Sequence, residues 1–351
     1  MNNRIIIADI LSNTINGKQT GHYFAVARNY LELFYNCVVA GGPIYKTGFD
    51  KEKLCLLPYN GHDGDNFIGK RFKTFSNAMK LFKDGKGDVI VLQQCTTITT
   101  FLCIILFYHR KSRLYIIQYS LEGFRNFAGR LLYRFAKRKI DGLVCPNDEV
   151  GKAYGIPYCV VPDYIYTGQS FVKRISYDEK KYDFCMIGRI SAEKGISEVV
   201  RFISKTSCNV LIAGRVQNKE LEEELKNLCN NVNNITLVLD YISDEEYKMF
   251  LSQSRYAILN YQGEYSNRSS GVVYDTIFAG LPVIGRRCKA LNFIKEFNMG
   301  FLYESIGDFN PKVVLNKKQY EYYQKQIAVY RMTHEKYKRE LNVFIKDSYL
   351  E

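Results

Sequence analysis

The octapeptide GRISAEKG, residues 188–195, places an arginine and a lysine five residues apart in a turn framed by glycines. The apolar run before it is typical of a strand, and the run after it is typical of an amphipathic helix. Arg189 and Lys194 should therefore lie at the carboxyl end of a strand, beside a helix N-terminus whose free N–H groups favour an anion. A planar guanidinium and a mobile ammonium suit two neighbouring phosphates. The alternative is that Arg189 pairs with Glu193 and that Lys194 is solvated.

A second stretch, GEYSNRSSGVVYDTIFAGLPVIG at 263–285, contains a helix start with similar chemistry. Ser269 or Ser270 can cap this helix, and Ser270 and Gly271 would present free amides. Asp275 lies four residues after Gly271, on the same face one turn later. Its carboxylate could accept two hydrogen bonds from a cis-diol such as ribose, while the amides hold a phosphate or sugar. Alternatively, Asp275 ends a solvated turn, although the apolar sequence after it predicts burial, and a buried acid needs a partner.

These residues need a scaffold, and short apolar strands alternate with helical segments along the whole chain. That pattern predicts an α/β fold of two doubly wound, Rossmann-like domains that face each other across a cleft. The predicted domains are 1–165 on the acceptor side, 166–315 for the nucleotide sugar, and a C-terminal helix at 316–351 that could cross back to the first domain. Ligands of such sheets bind beyond the carboxyl ends of the strands, so the cleft is the expected site. The region 42–68 is expected to be irregular.

Composition restricts the class of protein. The chain has 351 residues and ten cysteines without a C-x-x-C pair, which indicates free thiols in a reducing compartment. The N-terminus does not resemble a signal peptide. Residues 89–108 carry no charge, but their two Gln and four Thr favour a buried strand followed by a buried helix over a membrane span.

The net charge of +13 is concentrated in the first half of the chain. Two segments, 70–86 and 124–139, combine an apolar helical face with many lysines and arginines. They are either ordinary surface helices or sites of attraction to an anionic membrane surface or a phosphate-bearing acceptor. Nucleic acid is not expected as a partner, because no motif of a known reader is present.

The motifs GRISAEKG, LIAG, LDYISDEEYKMFLSQSRYAIL and SGVVYDTIFAGLPVIG together resemble the C-terminal domain of group 1 (family four) glycosyltransferases of the two-domain GT-B type. The resemblance spans about 180–305, and in the first half it rests on the loop NGKQTGH, the alternation and the VVP connector. It implies a hexosyltransferase that moves a sugar from a nucleotide-diphosphate donor, such as a UDP- or GDP-sugar, to a saccharide or lipid-linked saccharide acceptor. It further implies retention of configuration and no metal or other cofactor. A composition rich in Asn, Lys, Ile and Tyr suggests a low-GC bacterium. The expected role is surface-polysaccharide biosynthesis, such as capsule or O-antigen, in the cytoplasm or peripherally on the inner face of the plasma membrane.

The resemblance also assigns residues. Arg189 and Lys194 would grip the diphosphate and act in catalysis together with Glu264, Asp275 would hold the ribose, and Ile242 would face the base. The full set of donor candidates is Gly17, Gly21, Gly188, Ile242, Arg268, Ser270, Gly271, Val272 and Asp275. The acceptor-side candidates are His22, Gln118 and Tyr119.

The chain departs from the family pattern at three positions. Asn267 and Asp275 stand where the family usually has two glutamates, and Glu264 is a candidate substitute. Gln118 or Tyr119 stands where a histidine is common, and His22 could compensate. These changes indicate either variant donor handling or lost activity. The alternatives are therefore an inactive nucleotide-sugar-binding subunit of a polysaccharide assembly complex, or a nucleotide-sugar epimerase, for which four histidines are few.

Overall fold

The computed structural model describes residues 4–15, 18–19, 23–62, 64–93, 98–119, 127–162, 165–167, 172–173, 175–267 and 270–346. The chain forms two compact units, Met1–Thr167 with His334–Glu351, and Gly168–Thr333. Each unit is described by itself below.

The described strands of the first unit are β1 (Ile5–Ala8), β2 (Asn13–Ile15), β3 (Lys18–Gln19), β4 (Cys37–Gly41), β5 (Leu54–Leu56), β6 (Gly61–His62), β7 (Val89–Gln93), β8 (Arg113–Ile117), β9 (Gly142–Cys145) and β10 (Tyr158–Val160). Its helices are α1 (Tyr23–Leu33), α2 (Phe67–Asp84), α3 (Ile98–Phe107), α4 (Phe127–Ala136) and α5 (Asp148–Tyr154). The described part of its main sheet is parallel, in the order β10-β9-β8-β7-β1-β4-β5.

Two predictions for the first unit need correction. The region 42–68 is not irregular throughout, because it contains β5, which extends the main sheet, and β6, which pairs with β2. The uncharged run 89–108 does form a strand, β7, and a helix, α3. However, α3 buries only one face, with Phe101 and Ile104 in the core, and exposes Leu102 and Leu106. None of the described helices combines the length and the hydropathy that crossing a bilayer requires.

The described strands of the second unit are β11 (Tyr182–Ile187), β12 (Val210–Ala213), β13 (Ile235–Val238), β14 (Ser254–Leu259), β15 (Val283–Arg286) and β16 (Gly300–Tyr303). Its helices are α6 (Ile196–Ile203), α7 (Lys219–Leu228), α8 (Asp244–Ser252), α9 (Gly271–Ala279), α10 (Asn292–Glu296) and α11 (Pro311–Val314). A last helix, α12 (Lys317–Lys346), belongs to the second unit as far as Thr333 and to the first unit from His334 onward.

The second sheet is parallel in the order β13-β12-β11-β14-β15-β16. The strand order therefore reverses between β11 and β14, where an open α/β sheet leaves a crevice for ligands. The apolar spacing of α6 explains how this region folds, since Ile196, Val199, Val200 and Ile203 are buried as their helical period predicts. The predicted α/β class with doubly wound parallel sheets is confirmed.

Candidate functional site

A small cavity lies in the second unit at the carboxyl ends of β11 and β14, at the point where the strand order reverses. It is therefore located where ligands bind in sheets of this topology. The residues that line it are Met186, Ile187, Gly188, Arg189, Ile190, Lys194, Ile196, Ile258, Leu259, Asn260 and Tyr261.

The octapeptide 188–195 forms the predicted turn between a strand and a helix. It leaves β11 at Gly188, makes a short 3-10 turn at Ala192–Lys194 and enters α6. The backbone of Ile190 fixes the turn to the segment after β12, since its N–H donates to the Arg215 carbonyl at 2.9 Å and its carbonyl accepts from the Gln217 N–H at 2.9 Å. These bonds that fix the turn are main-chain bonds and do not involve the side chains of Arg189 and Lys194.

The two cations differ in environment. Arg189 is exposed, whereas Lys194 is only 6 % exposed and its Nζ lies 5.6 Å from the centroid of the Tyr265 ring. The alternative of a solvated Lys194 is therefore wrong. Within the described residues, Arg189 makes no ion pair with Glu193 either. Charge interactions strengthen where water is scarce, so an anion in contact with the buried ammonium of Lys194 would be held more tightly than one on an exposed cation.

Gly188 and Lys194, which line the cavity, lie close to Val272. Gly188 has a φ of +97°, and a methyl group built on it would lie 3.1 Å from Val272 Cγ2 and 3.7 Å from Lys194 Nζ. Val272 is in the first turn of α9, so the structure brings this turn to the cationic turn. The two stretches singled out in the sequence are neighbours in space.

The start of α9 differs from the expectation in one detail. Ser270 is at the N-cap position, but within the described residues its side chain does not cap the helix. Its hydroxyl instead lies 2.9 Å from the hydroxyl of Tyr261, a residue of the cavity wall. The competing tyrosine explains the difference, and it leaves the N–H groups of the first turn uncapped by Ser270. The helix ends at Gly280, as predicted.

Asp275 is half-buried, and its Oδ2 accepts a hydrogen bond of 3.0 Å from the hydroxyl of Tyr247. Burial raises the pKa of Tyr247, so this phenol remains a donor at ordinary pH. A carboxylate has about four acceptor sites on its two oxygens, so a bond from Tyr247 is compatible with further bonds from a diol. Ile242 lies in the loop before α8 and packs against the same apolar cluster as Tyr247.

A buried amide, missed in the sequence, locks the cationic turn to β14. Asn260 follows β14 directly, and its Nδ2 donates to the Gly195 carbonyl at 3.1 Å and to Glu198 Oε2 at 2.9 Å. Its Oδ1 accepts from the Tyr303 hydroxyl at 3.1 Å, and Gln262 Nε2 adds a second donor to Glu198 Oε2 at 2.6 Å. The polar residues Asn260 and Gln262, which follow the apolar run YAIL, are the feature of the sequence from which this network could have been predicted.

Several predicted residues cannot be placed. Gly17, Gly21, His22 and Arg268 lie outside the described residues. Glu264 belongs to a 3-10 turn, Gly263–Asn267, but its side chain is not among the described parts of the structure. Their assigned roles remain predictions.

The acceptor-side candidates Gln118 and Tyr119 follow β8 in the first unit, and Gln118 is buried. The strand order of this unit reverses between β1 and β7, where the buried Asp9 follows β1. Its carboxylate accepts from the N–H groups of Leu11 and Ser12 and from the Tyr45 hydroxyl, while burial raises its pKa. These bonds indicate that Asp9 shapes the loop after β1. Across the described residues, His, Cys, Asp and Glu side chains form no group of three or more that could hold a metal ion.

The chain is similar to known proteins in structure. No family model matches the chain, and no curated protein matches its sequence. Among solved structures, the chain is similar to HepE of Anabaena in complex with UDP and glucose, with a TM-score of 0.65, 12% identity, and coverage of 98% of this chain and 100% of that one. Sucrose-phosphate synthase of Thermosynechococcus elongatus has a TM-score of 0.63 and 14% identity, with coverage of 96% of this chain and 99% of that one. AviGT4, a glycosyltransferase involved in avilamycin A biosynthesis, has a TM-score of 0.63 and 13% identity, with coverage of 98% of each chain. Over nearly its whole length, the chain has the fold of these three proteins.

Proposed function

We propose that this protein is a glycosyltransferase that moves a sugar from a nucleotide-diphosphate donor to a saccharide or lipid-linked saccharide acceptor in polysaccharide biosynthesis. The observation that carries the proposal is the convergence of Gly188, Lys194 and Val272. It joins a buried ammonium to a helix start at the ligand crevice of the second sheet. Of the similar structures, HepE was solved with UDP and glucose, which is ligand chemistry of the same kind.

In the proposed complex, Lys194 and Arg189 bind the two phosphates and the first-turn amides of α9 bind the phosphate or the sugar. Asp275, held by Tyr247, accepts hydrogen bonds from the ribose hydroxyls, and the loop at Ile242 contacts the base. Arg189 and Lys194 line the cavity of the second unit, and Val272 in the first turn of α9 lies close to Gly188 and Lys194. Asp275 lies one turn further along α9.

The reaction breaks the bond between the anomeric carbon and the diphosphate oxygen, and it forms a bond from that carbon to an acceptor hydroxyl oxygen. Negative charge develops on the leaving diphosphate, and the cations and amides stabilise that charge. We propose retention of configuration, with the acceptor proton passing to an oxygen of the leaving phosphate, and no part for a metal. Glu264 is the candidate for a second carboxylate, while Gln118, Tyr119 and His22 are candidates for acceptor contacts.

Calorimetric titration with UDP, GDP, UMP and uridine tests the donor site. The Lys194→Ala variant should bind the preferred diphosphate about 10- to 100-fold more weakly, because it loses a charge-assisted contact worth roughly 1.5–3 kcal/mol. Binding of the nucleoside should be unchanged. Lys219→Ala, at the exposed start of α7, is the matched control. If the wild-type chain binds neither nucleoside diphosphate, the proposal is wrong.

Measuring the release of UDP or GDP from a panel of nucleotide sugars distinguishes an active transferase from an inactive binding subunit. The proposal expects slow donor hydrolysis by the purified chain and faster release when an acceptor saccharide is added. An Asp275→Ala variant should lower turnover as well as affinity. If donors bind but no sugar is ever released, and Asp275→Ala changes affinity alone, the chain is a binding module.

A further inference from the structure

Helices α2, α3 and α4 pack side by side over one face of the first sheet. Their inward residues, including Leu81, Phe101 and Tyr133, share one apolar core. Aromatic pairs also join neighbouring helices, with ring centroids 4.7 Å apart for Phe75 and Phe107 and 5.3 Å apart for Phe101 and Tyr133. The outer faces of the three helices therefore form a continuous surface.

That surface is unusually apolar for one exposed to water. Phe72 is 62 % exposed, Leu106 is 57 % exposed and Phe127 is 73 % exposed. Extended exposed apolar areas mark interaction sites. The three-helix patch is defined here by the exposed apolar residues Phe67, Ile68, Phe72, Met79, Leu102, Leu106, Phe127, Leu131 and Phe135.

The three-helix patch is also strongly cationic. Helix α2 and residues 127–139 together contain ten Lys and Arg and a single acid, Asp84, and α3 contains no charged residue. Asp84 is paired with Lys80 at 2.6 Å. On α4 and the turn that follows it, the exposed cations are Arg130, Arg134, Lys137 and Arg138. Apolar stripes flanked by cations on exposed helices are the pattern of surfaces that lie in a membrane interface.

We propose that the three-helix patch docks on an anionic lipid bilayer, with its phenylalanines and leucines in the interface and its cations on the headgroups. A second copy of this chain does not fit, because two such faces would bring like charges together. A protein partner fits less well, since six of the ten cations are lysines, and lysine is depleted in protein interfaces. Nucleic acid would satisfy the cations but leave the aliphatic side chains in water. The proposal does not depend on the proposed transferase activity.

Sedimentation of the full chain with lipid vesicles tests the docking. The chain should pellet with phosphatidylcholine vesicles that contain about 30 % phosphatidylglycerol and much less with phosphatidylcholine alone. An Arg130→Gln, Arg134→Gln variant should partition roughly 20- to 30-fold more weakly, since each cation contributes about a fivefold factor. The matched control is Lys205→Gln, Lys219→Gln, which removes two exposed cations from the second unit and should behave as wild type.

The apolar contribution needs its own variant and control. Leu102→Gln, Leu106→Gln changes only exposed positions of α3 and should weaken binding about tenfold. The exposed pair Val313→Gln, Met332→Gln in the second unit is the control and should have no effect. Unchanged thermal melting of each variant would show that the fold is intact.

Insertion of the patch into the bilayer can be followed by the fluorescence of a single introduced tryptophan, because the chain itself contains none. A Phe135→Trp variant should show a blue-shifted emission on anionic vesicles, whereas Met332→Trp should not shift. Absence of pelleting with anionic vesicles overturns the proposal, and so does pelleting without a shift. A shift that develops in concentrated protein without vesicles would identify self-association and would equally overturn it.

Discussion

The hydroxyl of Tyr247 donates a hydrogen bond of 3.0 Å to Asp275 Oδ2, and this bond joins helix α8 to helix α9. Tyr247 lies in the first turn of α8, whose start is fixed by a reciprocal capping box between Ser243 and Glu246. The loop before that cap contains Ile242. The acid proposed for the ribose and the loop proposed for the base therefore belong to one connected structure.

Removing this hydroxyl should weaken donor binding. In Tyr247→Phe, Asp275 loses the donor that orients it, so we expect about a 3- to 10-fold loss of UDP or GDP affinity, equivalent to roughly 1 kcal/mol. Calorimetric titration measures the change. The matched control is Tyr256→Phe, which removes a buried hydroxyl that donates to the Val314 carbonyl at 2.8 Å, away from the cavity. Equal affinity losses in the two variants would mean that the effect is general destabilisation.

The sequence predicted the parts of the site that depend on local chemistry. Glycine-framed cations between a strand and a helix, and a helix start after Ser270, require only the immediate chain and its periodicity. The parallel arrangement of β11 and β14 then brings Lys194 and Val272 together, because the carboxyl ends of neighbouring strands meet at one edge of the sheet.

The remaining features depend on contacts between distant residues. The Ser270 hydroxyl could be expected to cap its helix, but Tyr261 competes for it after the loop folds back. Asn260 could be read as a polar strand end, and only the folded chain shows that it bonds to Gly195 and Tyr303. The one-sided burial of α3 likewise depends on how its neighbours cover it.

Asn260 should act as a positioning residue for the cationic turn. Asn260→Leu leaves the Gly195 carbonyl and the Tyr303 hydroxyl without this buried partner, at a cost of about 2–4 kcal/mol in the free energy of unfolding. The turn also loses one of its ties to the end of β14, although the bond from the Gln262 N–H to the Glu193 carbonyl at 2.7 Å remains. UDP or GDP affinity should therefore fall as well. Asn234→Leu is the control, since the Asn234 Nδ2 donates to carbonyls at Thr206 and Cys208 that are not part of the cavity wall. It should reduce stability without reducing affinity, and if both variants keep wild-type affinity the positioning role is wrong.

Gly214 allows the turn to approach β12 closely. Its φ is +141°, and a methyl group built on it would lie 2.0 Å from the Gly188 carbonyl oxygen. Gly214→Ala should therefore displace Gly188, lower the free energy of unfolding of the second unit by about 2–4 kcal/mol and weaken nucleotide binding. Gly263→Ala separates the two causes, because Gly263 also has a positive φ, +54°, but a methyl group built on it would meet none of the described residues within 4 Å. It should cost only about 1 kcal/mol, as measured by denaturant unfolding. If Gly214→Ala and Gly263→Ala lose similar amounts of free energy of unfolding, the clash of the added methyl group with Gly188 does not destabilise the unit.

His334 should make the first unit sensitive to acid. It is fully buried on α12, its Nδ1 accepts the Tyr166 N–H at 3.1 Å, and burial lowers its pKa to about 3, with a smaller contribution from Lys338. The unfolded chain takes up this proton near pH 6.5, whereas the folded chain does not. Stability from this group is therefore complete above about pH 6.5 and is lost as the pH falls toward 3, by up to ~1.4 kcal/mol per pH unit.

The variant His334→Asn isolates this effect, because an asparagine oxygen can replace Nδ1 as the acceptor for Tyr166 but does not titrate. Between pH 7.5 and pH 5, wild type should lose about 2 kcal/mol more free energy of unfolding than the variant. Restricting the urea titrations to this range avoids most of the titration of the carboxylates. His109→Asn, at an exposed position, controls for the loss of a histidine as such. Parallel stability curves for wild type and His334→Asn over this range would show that the folded chain binds the proton, and that burial does not keep His334 neutral.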